Sequence, residues 1–171
     1  MGKIMHRSKQ NLTAAYRSDG FSLIEVLVAV LVLSIGMLGV ASLQATSLRH
    51  NTDASMQTRA SYIASDMADR IRANSTVSAA YIGNYAAAAA GADNGSCEAT
   101  TCDTAQMVLN DIAEWNTQLL GLPAGQGAIT SAAGLFTITV RWDEARTNVT
   151  GTNCNPDDPA DLRCLSITTQ P

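Results

Sequence analysis

A run of 23 residues without a charge, residues 26–48, constrains this chain more than any other feature of its sequence. The run opens with VLVAVLVL, which is apolar on every face of a helix. Because about 20 apolar residues span the hydrocarbon core of a bilayer, the run predicts a transmembrane helix. The preceding segment carries a local charge of +3, from Lys3, Arg7, Lys9 and Arg17 against Asp19. The positive-inside rule therefore places the N-terminus in the cytoplasm and the bulk of the chain outside it.

A cleaved secretory signal is the alternative interpretation of this run, with a cut near Gly39, Val40 and Ala41. Glu25, at the entrance of the apolar run, argues against that interpretation. A carboxylate costs about 2.5–3.5 kcal/mol in the middle of a bilayer, and a secretory signal has no use for one. We therefore expect the apolar helix to stay attached to the protein.

Residues 48–73 continue the helical pattern in amphipathic form. Their apolar side chains recur every three or four residues, which is typical of a helix with one face on a domain. These side chains are Met56, Ala60, Ile63, Met67 and Ile71. No proline precedes Pro123, so the sequence predicts a single helix over about residues 21–73. Gly36 and Gly39 mark the place where this helix bends most easily, because glycine costs a water-exposed helix about 1 kcal/mol relative to alanine.

After the long helix, the sequence predicts a loop and then a second helix. Residues 74–101 are mostly small and polar, and their alanine run, residues 86–90, allows at most a short helical turn. Asp103 followed by Gln106 is typical of a capped helix start. The helix that follows has an apolar stripe of Val108, Ile112, Trp115 and Leu119, and it ends at Gly121 and Pro123.

Strands are predicted in the C-terminal part. Residues 128–131 favour a short strand, and Leu135–Trp142 alternates in the manner of a half-buried antiparallel strand. One face of that strand carries Phe136, Ile138, Val140 and Trp142, and the other carries Thr137, Thr139 and Arg141. Residues 143–161 contain turn residues and predict a loop, and Arg163–Thr169 predicts the last strand. The predicted class is α+β, with a long N-terminal helix, hydrophobic and then amphipathic, packed on a small antiparallel β-sheet.

The four cysteines all lie in the part predicted to be outside the cytoplasm. An even number in that compartment favours disulfides, although several connectivities are possible. We prefer the pairs Cys97–Cys102 and Cys154–Cys164, because each pair is close in sequence and lies in a weakly held loop. In the chain-entropy account, a disulfide that closes a loop this short stabilises the folded protein by roughly 2–3 kcal/mol. A zinc site is the alternative, but its ligand spacing is met loosely by the first pair and not by the second.

Composition and charge give little support to catalysis or nucleic-acid binding. The net charge is −4, so no basic face is available to neutralise phosphates. Two histidines are present, and His50 is the only one beyond the N-terminal segment. The adjacent carboxylates Asp143–Glu144 and Asp157–Asp158 are interpreted as solvated turn residues rather than as acid–base pairs. We expect no catalytic residue, no metal ligand and no cofactor.

The sequence around Glu25 carries a specific motif. Residues 20–29 read GFSLIEVLVA and follow the basic segment. This stretch resembles the type III signal of type IV prepilins and pseudopilins. The resemblance implies that a prepilin peptidase cuts between Gly20 and Phe21 on the cytoplasmic side, and that Phe21 is then N-methylated. It also implies that Glu25 pairs with a freed amine and fixes the register of subunits in an apolar filament core, because an unpaired buried charge is strongly unfavourable.

Further stretches resemble the minor pilins called PilV, or type IV pilus modification proteins. They are residues 24–29, 36–39, 70–74, 115–123 and 140–142. The resemblance implies the type IV pilin fold and a non-enzymatic subunit that helps prime or modify type IV pilus assembly, with effects on adhesion and twitching motility. The implied partners are the prepilin peptidase, other minor pilins, the major pilin, the inner-membrane assembly platform and the membrane itself. No nucleic acid is expected.

This interpretation divides the chain into four parts. They are a leader peptide (1–20), a transmembrane and filament-core half-helix (21–48), an amphipathic half-helix (49–73) and an α+β region with two disulfides (74–171). We expect a single-pass inner-membrane protein with a periplasmic C-terminal region, later incorporated into the pilus at the cell surface. One alternative is a minor pseudopilin of type II secretion, which shares the signal. Another is a pilus-tip adhesin, in which the acidic C-terminal region would contact a surface or ligand. The charge of −7 after residue 90 is more simply explained as solubilising charge.

Overall fold

A computed structural model describes residues 20–87, residue 97 and residues 101–171. The described elements, in chain order, are α1 (Leu23–Ala73), a short 3-10 helix (Ser75–Tyr81), β1 (Gly83–Ala86), α2 (Thr104–Leu119), β2 (Gln126–Ala132), β3 (Leu135–Trp142) and β4 (Arg163–Thr169). The chain divides into two compact units, Met1–Thr46 and Ser47–Pro171. The predicted α+β class is confirmed. Nearly all of the leader lies outside the described residues.

The described part of the first unit is helical from Leu23 onward. The prediction placed the helix start near residue 21, and the helix begins two residues later. The helix continues through Gly36 and Gly39 without interruption. Every described residue of this unit is exposed, so the helix buries no side chain within the unit.

The second unit places its part of α1 against a single hydrophobic core. All five residues of the predicted stripe are buried, and two alanines on the same face, Ala64 and Ala68, are buried with them. Small side chains let neighbouring elements approach the helix backbone closely. The amphipathic interpretation of this half of the helix is therefore confirmed.

The sheet is antiparallel throughout and has the order β1-β2-β3-β4. Its strands pair in simple succession, with Trp142 opposite Arg163 at one end of the β3–β4 pair and Phe136 opposite Thr169 at the other. The alternation predicted for β3 is confirmed, because its four inward side chains are buried and belong to the core. The outward side chains of β3 are only partly covered.

The second helix begins where the sequence predicts. Asp103 accepts a hydrogen bond from the backbone N–H of Gln106, and the Gln106 side chain accepts one from the backbone N–H of Asp103. This reciprocal pair satisfies two N–H groups that a helix start otherwise leaves unpaired. Of the predicted stripe, Val108, Trp115 and Leu119 are buried, whereas Ile112 is partly buried at the edge of the core.

Trp115 joins α2 to both neighbouring layers. Its indole N–H donates to the backbone carbonyl of Ile63 at 2.9 Å, and its ring meets Tyr85 edge-on with centroids 5.4 Å apart. Gly127 on β2 lies directly against the indole, since a Cβ built there would be 2.2 Å from Cη2 of Trp115. The bulk of this one side chain therefore requires a glycine on the facing strand.

The prediction that residues 74–101 form a loop is wrong for the described part of that segment. A 3-10 helix is present at Ser75–Tyr81, and β1 pairs with β2 in register, with Gly83 opposite Ile129. Glycine and asparagine are poor strand formers, so local propensity gives no sign of β1. Burial of Tyr81 and pairing with β2 override that propensity. Most of the predicted alanine turn lies outside the described residues.

Candidate functional site

The predicted cleavage point precedes the first helical turn. Gly20 and Phe21 lie before α1, and the Phe21 side chain is 82% exposed. Nothing approaches within 4 Å of the position that a Cβ on Gly20 would occupy. A protease needs an accessible peptide bond outside a helix, and the bond between these two residues is exposed and precedes α1. Cleavage itself stays a prediction.

Glu25 lies in the first turn of α1. At the helix start, the carbonyl of Ser22 accepts two hydrogen bonds. One comes from the N–H of Glu25 at 3.0 Å and the other from the N–H of Val26 at 3.3 Å. A carboxylate at this end interacts favourably with the helix dipole. Glu25 is exposed and forms no ion pair with any residue that the structure describes. Its charge is therefore available to a partner.

The apolar segment (residues 26–48) exposes its side chains in all directions. Val26, Leu27 and Val28, for example, are each more than half exposed, although they face different sides of the helix. An 18-residue window of α1 reaches a mean hydropathy of 2.6 with no part of it buried. An exposed apolar surface of this extent requires a hydrophobic environment, which a bilayer or a bundle of similar helices supplies. By length and composition, α1 is able to cross a membrane.

The adjacent carboxylates do not act as pairs, and one of them is buried. Asp143 is 3% exposed, which contradicts its interpretation as a solvated residue. Its backbone N–H donates to the carbonyl of Pro123, and its Oδ2 accepts from the backbone N–H of Asn148 at 2.7 Å. Glu144 pairs instead with Arg163 at 2.9 Å. These contacts show that Asp143 stabilises a turn.

The second pair of carboxylates belongs to a chain of turns before β4. The N–H of Asp157 donates to the Asn155 side chain, and Asp158 accepts from the N–H of Ala160. Both bonds are local, of the kind that Asx-turns make. The interpretation of Asp157 and Asp158 as solvated turn residues agrees with the structure, in which both are exposed.

The four cysteines form two disulfides, Cys97–Cys102 and Cys154–Cys164, which are the pairs preferred from the sequence. No cysteine of the chain is free to bind zinc. Within the described residues no group of three or more His, Cys, Asp or Glu is placed to hold a metal ion. The first disulfide lies before α2, and the second joins the turn segment to β4.

Peptide mapping tests this connectivity. Digestion of the non-reduced protein should release one linked species that contains Cys97 and Cys102 and another that contains Cys154 and Cys164. Mass spectrometry before and after reduction identifies both species. A peptide that joins Cys97 to Cys154 or to Cys164 would overturn the assignment.

A charge cluster, which the sequence analysis missed, joins α1 to α2. Arg70 pairs with Asp66 at 2.9 Å, with Asp111 at 2.8 Å and with Glu114 at 2.7 Å. The second oxygen of Asp111 accepts from the hydroxyl of Tyr81 at 2.5 Å. The four-residue spacing of Asp66 and Arg70 is the only sign of this cluster in the sequence. The other members are distant in the chain and meet only through the fold.

Burial and pairing shift the pKa values of this cluster. Burial alone would lower the pKa of Arg70, but its hydrogen bonds to Glu114, Asp66 and Asp111 raise that pKa above its ordinary value. Burial raises the pKa of Tyr81, and the hydrogen bond to Asp111 raises it further. Arg70 therefore stays charged and Tyr81 stays protonated near neutral pH, so both donate to Asp111.

Comparison with known families identifies two adjoining regions. The model of the prokaryotic N-terminal methylation motif matches residues 16–41, and the model described as type IV pilin Tt1218 matches residues 42–113. Together they cover residues 16–113, which is 98 of 171 residues and more than half of the chain. The first match contains Gly20, Phe21 and Glu25, and the second contains the amphipathic half of α1 and most of α2. No curated protein and no solved structure gives a significant match.

Proposed function

The chain is a type IV pilin-like protein, and on that premise we propose that it is a minor pilin that helps prime or modify type IV pilus assembly. The observation that carries the proposal is Glu25, which is exposed and has no ion pair with a described residue, at the start of an apolar helix and inside a match to the methylation motif. A pilin is a structural subunit, which indicates a non-enzymatic role. The minor role, and effects on adhesion and twitching motility, follow from the resemblance to PilV.

We propose that processing occurs between Gly20 and Phe21. Prepilin peptidase would remove residues 1–20 from the cytoplasmic side and methylate the new amine of Phe21. The accessible position of this bond before the first helical turn supports that assignment. Because the cut lies before the apolar segment, the helix stays attached after processing. The mature chain carries −7, since the removed leader carries +3 of the total −4.

Glu25 would fix the register of the subunit in the filament. Residues 21–48 pass from the membrane into the filament core, where water is scarce and charges are costly. A free amine at Phe21 and a carboxylate at Glu25 would each be unfavourable alone, but subunits in the correct register pair them. The exposure of Glu25 and its lack of an ion pair with the described residues support this role.

The other parts of the chain follow from the same proposal. Residues 49–73 and 74–171 form the periplasmic body while the subunit is stored in the inner membrane, and they face outward in the pilus. The partners would be the prepilin peptidase, other minor pilins, the major pilin and the inner-membrane assembly platform. The match to a type IV pilin model favours the pilus over a type II secretion filament.

The substitution Glu25→Ala tests the registry role in the bacterium that makes this protein. We expect processing at Gly20 to stay largely intact, because the cleaved bond is untouched. Incorporation into pili should fall at least about tenfold, since the amine of a neighbouring subunit loses its counter-charge in the filament core. Immunoblots of the processed form and of sheared pili measure the two steps separately.

The control is Asp53→Ala, which removes a carboxylate from the same helix outside the apolar segment and should assemble normally. Normal piliation with Glu25→Ala, in a background where deletion of the gene abolishes pili, would contradict the registry role. A deletion strain that keeps its pili but loses protein secretion would instead identify a minor pseudopilin.

A further inference from the structure

The edge strand β4 is unusually open. It pairs with β3 along all seven of its residues, and no described residue pairs with its other side. Proteins protect such edges with lysine, proline, bulges or very short strands. Between Cys164 and Thr169 the strand has no charged residue and no proline, and its register with β3 is unbroken. The opposite edge strand, β1, has only four residues.

A groove of about 590 Å³ runs between α1 and this edge. Its walls are side chains of residues 54–65 of α1, with Tyr62 among them, and Leu165 is the only described sheet residue that lines it. The groove therefore lies at the β4 side of the sheet, where the inward side chains of one more strand would project. Tyr62 is 68% exposed, so no residue that the structure describes covers the large apolar surface in this position.

The lining of the groove defines the chemistry of a partner. No charged side chain lines the groove among the described residues. Its surface is more apolar than polar, and its α1 wall consists of Ala54, Gln57, Thr58, Ser61, Tyr62 and Ser65. Apolar side chains of moderate size fit such a wall, whereas a charged side chain would be desolvated without a counter-charge. The other face of β4 presents Ser166 and Thr168, both exposed, which suits polar side chains on that side.

A second copy of β4 does not provide the required side chains. Leu165 and Ile167 are already packed against the core of their own subunit. Two copies joined edge to edge would extend the sheet and leave each groove unfilled. The occupant must instead be a strand whose inward side chains are not engaged elsewhere.

We propose that β4 accepts an extended strand from a different protein, with apolar residues at alternate positions and no charge on its inward face, which adds to the sheet and fills the groove against α1. Main-chain hydrogen bonds along the edge supply affinity, and the groove selects the alternating side chains. The proposal concerns the second unit alone. The binding result for β4 therefore does not depend on whether Glu25 sets the register of the subunit.

The experiment uses the full chain in a nonionic detergent and a synthetic peptide in which valine and threonine alternate between terminal lysines. We expect saturable binding by fluorescence anisotropy, together with slower amide hydrogen exchange in β4. The substitution Ser61→Lys places a charge in the groove and should weaken binding at least about tenfold. The matched control, Ser55→Lys, changes an exposed serine of α1 outside the groove and should bind as the unsubstituted protein does.

A peptide of the same sequence with N-methylated amides should not bind, because it cannot form main-chain hydrogen bonds with the edge. Four results would overturn the proposal: no binding of the alternating peptide, equal binding of the methylated one, equal effects of the two lysine substitutions, or binding that leaves exchange in β4 unchanged. Protection of β4 that rises with protein concentration alone would identify a second copy as the occupant and would also overturn it.

Discussion

The substitution Trp115→Ala should lower the free energy of unfolding of the second unit by about 3–5 kcal/mol, the usual cost of removing a buried tryptophan. The side chain is fully buried, meets Tyr85 edge-on and donates to the carbonyl of Ile63. Gly127 lies against it and has no side chain that could move into the space. The cavity therefore cannot close, and α2 loses its hydrogen bond to the carbonyl of Ile63 on α1 and its ring contact with Tyr85 on β1.

Urea unfolding of the full chain in a nonionic detergent measures this effect, with the fluorescence of Trp142 as the probe that both proteins share. The expected loss corresponds to a fall of about 1–3 M in the urea midpoint. Trp115→Phe keeps an aromatic ring and should lower the free energy of unfolding by less than Trp115→Ala does. Leu120→Ala, at a position that is 58% exposed, should change the stability by no more than about 0.5 kcal/mol. A Trp115→Ala protein as stable as the Leu120→Ala control would show that Trp115 does not hold α2.

Elements with a strong period along the chain could be predicted from the sequence. The stripe from Met56 to Ile71 and the alternation of Leu135–Trp142 each repeat over several turns or residues, so local pattern and burial agree. The start of α2 was predictable for a different reason. A capping box is a contact between residues three apart, and it needs no information from the rest of the fold.

Elements that depend on distant partners could not be predicted in this way. β1 contains Gly83 and Asn84, and only its pairing with β2 makes it a strand. The burial of Asp143 likewise depends on the carbonyl of Pro123, which the fold brings to its backbone N–H. Sequence pattern reports the residue types in such segments but not the contacts that decide their structure.

For the candidate site, most of the information comes from the sequence and less from the structure. Gly20, Phe21 and Glu25 lie within a stretch of six residues and form a linear motif, so the sequence alone indicates them. The structure adds their accessibility and the place of Glu25 in the first helical turn. The groove beside β4 could not be predicted, because Tyr62 and Leu165 are about a hundred residues apart and meet only when the sheet packs on α1.

The substitution Arg70→Met should destabilise the second unit by about 3 kcal/mol, the lower part of the range for breaking a buried ion pair, because a fifth of the Arg70 side chain is exposed. Methionine keeps the length and the apolar contacts of the side chain but removes its charge. Asp111 then keeps only the hydrogen bond from Tyr81, in a site where its side chain is 10% exposed. An unpaired carboxylate in such a site is the main cause of the loss. The same urea titration measures it.

A double substitution shows whether the unpaired charge causes the loss. Asp111→Asn should itself be destabilising, because it weakens the pairing with Arg70, but in the Arg70→Met background it should recover at least about 1 kcal/mol. Arg72→Met is the matched control: Arg72 lies on the same helix, pairs with Asp69 and is 51% exposed, so its loss should cost no more than about 0.5 kcal/mol. If the two single arginine substitutions cost the same, or if Asp111→Asn adds to the loss caused by Arg70→Met, then the charge cluster does not hold α2 on α1. In that case the attachment of α2 rests on Trp115 and its apolar neighbours alone.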